Sequence, residues 1–347
     1  MKFRPLGRTG MTVSEIGLGT MTWGTQNTEA EGFEQMDYAL EHGVNLFDTA
    51  EMYPTNPVTE ATYGRTEEII GNWLQSRGRR DDIVLATKIT GPGHTWLDDG
   101  APISPARIET AIERSLRRLR TDRIDLYQLH WPNRGSYHFR QMWKFAPWKQ
   151  DRAQAAADLD AILHALDRAV KAGKIRAIGL SNDSAWGTMR YLAMAEARGL
   201  PRVASIQNEY SLLHRIFDTD WAELAHHEDV GLLAYSPLAA GLLSGKYRGG
   251  IIPPGSRRSI NAELGGRVTE HVEAPLEAYL ALADAHGLDP AQMALAFCLT
   301  RPFMTSVLIG ATSMEQLRTN IAAASVTLPD EVLTGIDAIR RKWPVPM

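Results

Sequence analysis

IDLYQLH, residues Ile124 to His130, is an almost uninterrupted apolar run that closes on an imidazole. Two earlier runs share its form. NLFDTAEMY, Asn45 to Tyr53, carries Asp48 at the end of its apolar part and then a phenol, and IVLATK, Ile83 to Lys88, ends on an amine. Short apolar runs of this kind suit strands covered on both faces, as in a parallel sheet. Working outward, the pattern recurs at Ile16–Thr20, Ile175–Ser181, Val203–Gln207, Gly231–Ser236 and Thr305–Gly310, eight candidate strands in all.

Longer amphipathic stretches separate these strands. Ser104-Pro105 followed by ARIETAIERSLRRLR offers a serine cap, a proline at the first helical position, and Ile108, Ile112, Leu116 and Leu119 on one stripe. Asp158 to Val170 places Leu159, Ile162, Leu163, Leu166 and Val170 similarly, with Gly173 as the helix stop. KFRPLG and MTVSEIG, joined by Arg8-Thr9-Gly10, read as an N-terminal β-hairpin. The alternation, with no Pro/Gly/Ser-rich linker, predicts an α/β fold. We read a single (β/α)8 TIM barrel domain over residues 1–347, with long loops at its C-terminal mouth. A doubly wound open sheet is the rival architecture.

At 347 residues and 44% hydrophobic, the chain can bury one large core. No stretch reaches the roughly 18 apolar residues of a membrane span, and MKFRPLGRTGMTVSEIGLG lacks the apolar segment of a signal peptide. A net charge of -4 gives no global reason to expect nucleic-acid binding. The single cysteine, Cys298, excludes an internal disulfide, and within MALAFCL it reads as a buried structural thiol. These features predict a cytoplasmic protein. His226-His227 stand near no ligand set, so no metal is expected. No GxGxxG opens a helix after a strand and no Walker motif is present, which leaves a Rossmann site unsupported.

In such a barrel the active site is built at the C-terminal ends of the strands. The candidate strands end at Asp48, Lys88, His130, Ser181-Asn182, Gln207, Tyr235-Ser236 and Gly310-Ala311-Thr312. Each residue alone has a structural reading: Asp48 as a helix cap, Lys88 as a solvated strand end, His130 as a core histidine, Tyr53 as a packing residue. Gathered at one mouth they read as a site, because unpartnered polar groups there would carry a desolvation cost. A phenol, an amine, a carboxylate and an imidazole are the parts needed to protonate a carbonyl oxygen, with a cation lowering the tyrosine pKa. YSPLAAGLLSGKY, Tyr235 to Tyr247, adds small residues, hydroxyls and Lys246, and suits anion binding after strand seven. The aromatic segment from Trp131 to Trp148 shows neither strand nor helix period. It is expected to wall the substrate pocket or to pack as a lid, with Trp23, Tyr63 and Trp96 as further candidates.

These residues resemble the aldo-keto reductase family. DTAEMYP, TKIT, DLYQLHWP, GLSN, IQNEYSLL, AYSPLAAGLLSGKY and LIGATSMEQLRTNI stand in that family's order, and the likeness runs from about Lys2 to Lys342. Within the family it points to bacterial Tas-type reductases, and more distantly to potassium-channel β-subunits. The resemblance implies that Tyr53 is the general acid/base, Lys88 and Asp48 its activating pair, and His130 the group that orients the carbonyl. It implies that Ser181, Asn182 and Gln207 contact the nicotinamide carboxamide and that Tyr235 stacks on the ring. Ser236, Pro237, Leu238, Gly241, Leu243, Ser244 and Gly245 match the pyrophosphate segment. Lys246, Arg257, Gly310, Thr312, Gln316 and Asn320 match positions around the adenosine and its 2′-phosphate, with Arg258 an alternative to Arg257. Thr319 departs from the acidic residue common in relatives, and Arg318 either adds charge near the phosphate or is solvated.

The expected function is therefore NADPH-dependent reduction of a small-molecule carbonyl substrate, an aldehyde or ketone. The alternative is a nucleotide-binding, redox-sensing regulatory subunit like the channel β-subunits, against which the complete tetrad stands.

Overall fold

Successive residues of a strand face opposite ways, so each apolar run divides its side chains between two cores. In the computed structural model, which describes residues 1–347, both cores are present. The strands are β1 (Phe3–Pro5), β2 (Thr12–Ser14), β3 (Ile16–Gly19), β4 (Leu46–Asp48), β5 (Val84–Ile89), β6 (Ile124–Leu129), β7 (Ile175–Ser181), β8 (Val203–Glu209), β9 (Gly231–Tyr235) and β10 (Met304–Ile309). β3 to β10 pair in parallel and close into a barrel in chain order, β10 returning to β3. The open-sheet alternative is thereby excluded.

Helices cover the barrel: α1 (Glu29–Glu41), α2 (Arg65–Arg77), α3 (Pro105–Leu119), α4 (Arg152–Lys171), α5 (Ala185–Arg198) and α6 (Asp220–Glu228). After β9 come α7 (Arg257–Ile260), α8 (Glu273–Ala285) and α9 (Pro290–Leu299), and after β10 come α10 (Met314–Ala322) and α11 (Asp330–Lys342). The predicted cap of α3 is present, Ser104 accepting from the Arg107 amide with Pro105 at the first position. α4 starts earlier than the apolar stripe suggests, because Asp151 accepts from the Ala153 and Gln154 amides and sets a new start. The outer core lies between the strands and these helices, with Phe47, Leu85, Tyr127 and Ile178 among its members.

The inner core is smaller. Leu46, Val84, Ala86, Leu126, Ala177, Leu233 and Leu308 point into the barrel and meet Leu6, Met11 and Val13 from the hairpin. β1 and β2 pair antiparallel as predicted, Phe3 opposite Ser14, and their apolar side chains close the barrel floor. Because Leu46, Ala86 and Leu126 point inward, so do Asp48, Lys88 and Gln128 two residues later, above the floor. Cys298 is fully buried in the outer core, and burial pushes its thiol up to about 12. No helix is long and apolar enough to cross a membrane.

Candidate active site

The inward alternation of β4 and β5 brings a carboxylate and an amine together below the mouth. Lys88 Nζ donates to Asp48 Oδ2 at 2.6 Å and to the Thr49 carbonyl at 2.8 Å, and Lys88 is completely buried. The other Asp48 oxygen, Oδ1, accepts from Gln128 Nε2 at 3.0 Å and from Gln207 Nε2 at 2.9 Å. Both oxygens of the buried carboxylate are thus hydrogen-bonded, the condition under which such a pair persists.

Tyr53, on the loop after β4, lies over this pair. Lys88 Nζ is 5.0 Å from the centre of its ring, and the ring meets His130 edge to face at 5.8 Å. The expected lowering of the tyrosine pKa needs correction. Burial raises the Tyr53 pKa above its ordinary value; Lys88 acts to lower it and only partly offsets the burial. For Lys88 burial is also the largest influence, here downward, and Asp48 and Tyr53 outweigh it, leaving the ammonium held above the ordinary lysine value. Tyr53 is accordingly a phenol at neutral pH, the form that can donate a proton.

His130 ends β6 and is held by its own backbone, its amide donating to the Ile89 carbonyl at 2.9 Å and its carbonyl accepting from Asn182 Nδ2 at 3.0 Å. Burial, reinforced by Lys88, drops the imidazole pKa well below its usual value, so the ring is neutral. Nδ1 is buried without a partner, which leaves Nε2 as the nitrogen available to a ligand.

Above this group opens a cavity of about 1140 Å³, lined by Asp48, Tyr53 and His130 and by residues from most of the other strand ends. Ser181, Asn182, Gln207, Tyr235, Ser236, Pro237, Leu238, Gly241, Ser244, Lys246, Arg257, Gly310, Thr312, Gln316 and Asn320 all line it. The Tyr235 hydroxyl donates to Asn182 Oδ1 at 2.7 Å, and Asn182 Nδ2 also donates to Ser181 Oγ at 3.0 Å. Leu243 and Gly245 do not reach the wall: Leu243 is buried in the outer core and Gly245 makes a left-handed turn beneath it. Gln207 spends its amide hydrogens on Asp48 and Gln128, so only its oxygen remains for a ligand. Of the arginine pair, Arg257 lines the cavity and Arg258 lies over Tyr247. Arg318 lies over Tyr38 instead of the cavity, and Thr319 is on the wall.

Two features suit the cavity to an anion. Ser236, Ala239, Ala240 and Gly241 all have positive φ, a sequence of turns that curls the backbone after β9 along the cavity wall, where the amides not spent within the turns can meet an anion. Gly241 has φ +98°, and a Cβ there would meet Lys246 Cε at 2.8 Å, so only glycine lets that lysine lie against the curl. After the neighbouring strand β10, the N-terminus of α10, capped by Ser313, borders the same cavity with Thr312 and Gln316.

Several residues were not foreseen. Glu209, two residues beyond the predicted end of β8, receives Arg267 Nε at 2.9 Å and Nη2 at 3.0 Å, and Arg140 Nη2 at 2.5 Å. One carboxylate therefore joins the loop after β6 to the segment after β9 across the cavity wall. Glu51 accepts from the Thr90 amide at 2.6 Å and from the Tyr63 hydroxyl at 3.2 Å, tying the Tyr53 loop to β5. The continued strand alternation Gln207, Glu209 was the signal available for the first. The aromatic segment contributes less than expected: Trp131 and Phe139 line the cavity, whereas Trp143 and Trp148 are 78% and 79% exposed. Trp23 is buried against Gln35, and Tyr63 and Trp96 pack on one another outside the wall. His226 and His227 are exposed on α6, and no group of three or more His, Cys, Asp or Glu side chains is arranged to hold a metal ion.

A closed barrel with an ion-paired lysine, a phenol and a neutral imidazole at its C-terminal mouth defines a class of oxidoreductase. Residues 15–341 match the model of the aldo/keto reductase family. The chain is 43% identical to Protein tas of Escherichia coli, over the whole of this chain and 99% of that protein. It is 35% identical to the uncharacterized oxidoreductase YrpG of Bacillus subtilis, over 98% of this chain and 96% of that protein. The chain belongs to the aldo/keto reductase family.

Proposed function

We propose that the chain reduces an aldehyde or ketone to an alcohol with NADPH, Tyr53 acting as the proton donor. The observation that carries this is the stack of Asp48, Lys88 and Tyr53, a fully partnered ion pair directly beneath a protonated phenol. The positive-φ curl after β9 fits the pyrophosphate, the α10 N-terminus with Thr312 and Gln316 fits the adenosine 2′-phosphate end, and Arg257, whose Nε is buried without a partner, fits a phosphate group. Lys246 and Arg257 are the residues that favour a 2′-phosphate over a hydroxyl, while Asn182, the Gln207 oxygen and Tyr235 would hold the nicotinamide. Bound there, the nicotinamide supplies the hydride. Tyr53 gives its proton to the carbonyl oxygen, and the Lys88 ammonium stabilises the phenolate left behind. His130, neutral, donates from Nε2 to the same oxygen as its charge grows. A cytoplasmic location is part of the proposal, supported by the single unpaired thiol.

The test is rapid-mixing oxidation of bound NADPH by an aldehyde. Tyr53→Phe is expected to slow that step by about a thousandfold or more while NADPH still binds, as followed by quenching of tryptophan fluorescence. Turnover at the wild-type rate in that variant would refute the assignment. A regulatory subunit would show a negligible rate in the wild type.

A further inference from the structure

We propose that Arg140 is a carboxylate-binding residue of the substrate site, and that the preferred substrates are ring-bearing aldehydes or ketones carrying a carboxylate remote from the carbonyl. The proposal rests on the carbonyl reductase reading above and names the substrate class for the same site.

The charges of the cavity wall divide by place. Asp48 is neutralised by Lys88. Asp289 caps α9, accepting from the Gln292 amide, and Glu315 lies in the first turn of α10. Lys246 and Arg257 stand by the anion curl, where the cofactor phosphates are proposed to lie. What remains is Glu209 shared between Arg267 and Arg140, two guanidiniums on one carboxylate, with one positive charge in excess. Arg267 is fully engaged, forking onto Glu209, donating from Nη1 to the Leu264 carbonyl at 2.8 Å and from Nη2 to Ser236 Oγ at 3.3 Å. Arg140 makes a single contact, and its Nε–H is buried without a partner. The unspent donor capacity and the surplus charge are therefore on the same side chain.

Position fits this role. The wall runs from His130 to Trp131, ring centres 5.0 Å apart, then from Trp131 to Phe139 at 5.8 Å, and Arg140 is the next residue. A substrate with its carbonyl at Tyr53 and His130 lays a ring along these aromatics and brings its far end to Arg140. The local backbone is built to place it. Phe139 and Arg140 have φ of +55° and +64°, a left-handed conformation that two successive non-glycine residues rarely adopt and that clusters at functional sites. Gly266, at φ +79°, clears the path of the side chain, since a Cβ there would meet Arg140 Cγ at 3.1 Å. A guanidinium matches the flat, two-oxygen carboxylate better than an ammonium does. Arg267 donates from Nη2 to Ser236 Oγ at 3.3 Å and so stands on the side of the curl, whereas Arg140 follows the aromatic wall and is left for the carboxylate.

The test compares 4-carboxybenzaldehyde with its methyl ester, which differ in charge but share the ring and aldehyde. The acid is expected to have a kcat/KM about tenfold to a hundredfold above that of the ester, mostly through KM. Arg140→Gln should bring that ratio near one, and Arg140→Lys should restore part of it, which a merely structural arginine would not do. Equal values for the two aldehydes in the wild type, or a ratio indifferent to Arg140→Gln, would overturn the proposal while leaving the reductase reading intact. If neither aldehyde oxidises NADPH, the ring-bearing substrate class falls, and the reductase reading stands or falls on other aldehydes and ketones. Calorimetric titration of 4-(hydroxymethyl)benzoate into the protein with NADP+ then still decides the anion site: binding lost in Arg140→Gln supports it, and unaltered or absent binding overturns it.

Discussion

Gln207 donates a 2.9 Å hydrogen bond to Asp48 across the full width of the barrel, because β8 and β4 stand diametrically opposite in the closed strand order. The bond fixes the carboxylate that fixes Lys88, so the charge beneath Tyr53 is positioned from both sides of the lumen. Gln207→Leu removes one donor from a buried carboxylate and should cost about 1–3 kcal/mol of stability by urea unfolding. It should also lower kcat, because Lys88 gains freedom under the phenol.

Lys88→Met would strip the cation from a carboxylate that has nowhere to dissipate its charge. Gln128 and Gln207 would still donate to it, yet removing one member of a buried pair costs about 3–5 kcal/mol. Asp48→Asn added to Lys88→Met should recover much of that stability and none of the turnover. Chemical denaturation and NADPH oxidation, run on the same three proteins, separate the two effects.

Arg257 lines the cavity with its Nε unpaired, and burial together with Arg267 holds its pKa down to about 10. Arg257→Ala should weaken NADPH about tenfold or more in a fluorescence titration and leave NADH nearly unchanged. Equal losses for both cofactors would remove the 2′-phosphate assignment.

Acid stability should fall in two stages. Burial holds His138 and His214 down to about 4, so between about 6.5 and 4 the unfolded chain binds protons that the native chain does not. Stability is therefore full above about pH 6.5 and is lost as pH falls through that window, by up to about 3 kcal/mol for each histidine. Burial works to raise the Glu209 carboxyl, but Arg267, with His214 and Arg140, brings it down to about 2. A depressed carboxyl contributes stability above its unfolded pKa near 4.5, and that share, about 3 kcal/mol, disappears from there toward pH 2. Urea unfolding at a series of pH values should show the upper stage reduced in a His138→Gln variant, in which Arg267, His214 and Arg140 still hold Glu209 down, and the lower stage retained.

The strands and the tetrad were legible in the sequence because a parallel strand is apolar along its whole length, so Asp48, Lys88 and His130 stand out at its end. Gln128 was harder to read, since a neutral amide inside IDLYQLH looks like tolerance until its partner on another strand is known. Glu209 and Arg267 are 58 residues apart and meet only through the fold. Aromatic content misled at Trp143 and Trp148, because hydrophobicity without a period does not say which face is covered. The direction of the Tyr53 shift was illegible for the same kind of reason: a neighbouring cation can be inferred from motif order, whereas burial depends on the packing around it.

The hairpin of residues 3–14 floors the barrel, and a floor makes it a cul-de-sac. Any two ligands of the cavity therefore share one entrance. A ligand seated against Tyr235 and Asn182, as proposed above, could not be bypassed from below, and traffic through the site would then be serial: last in, first out.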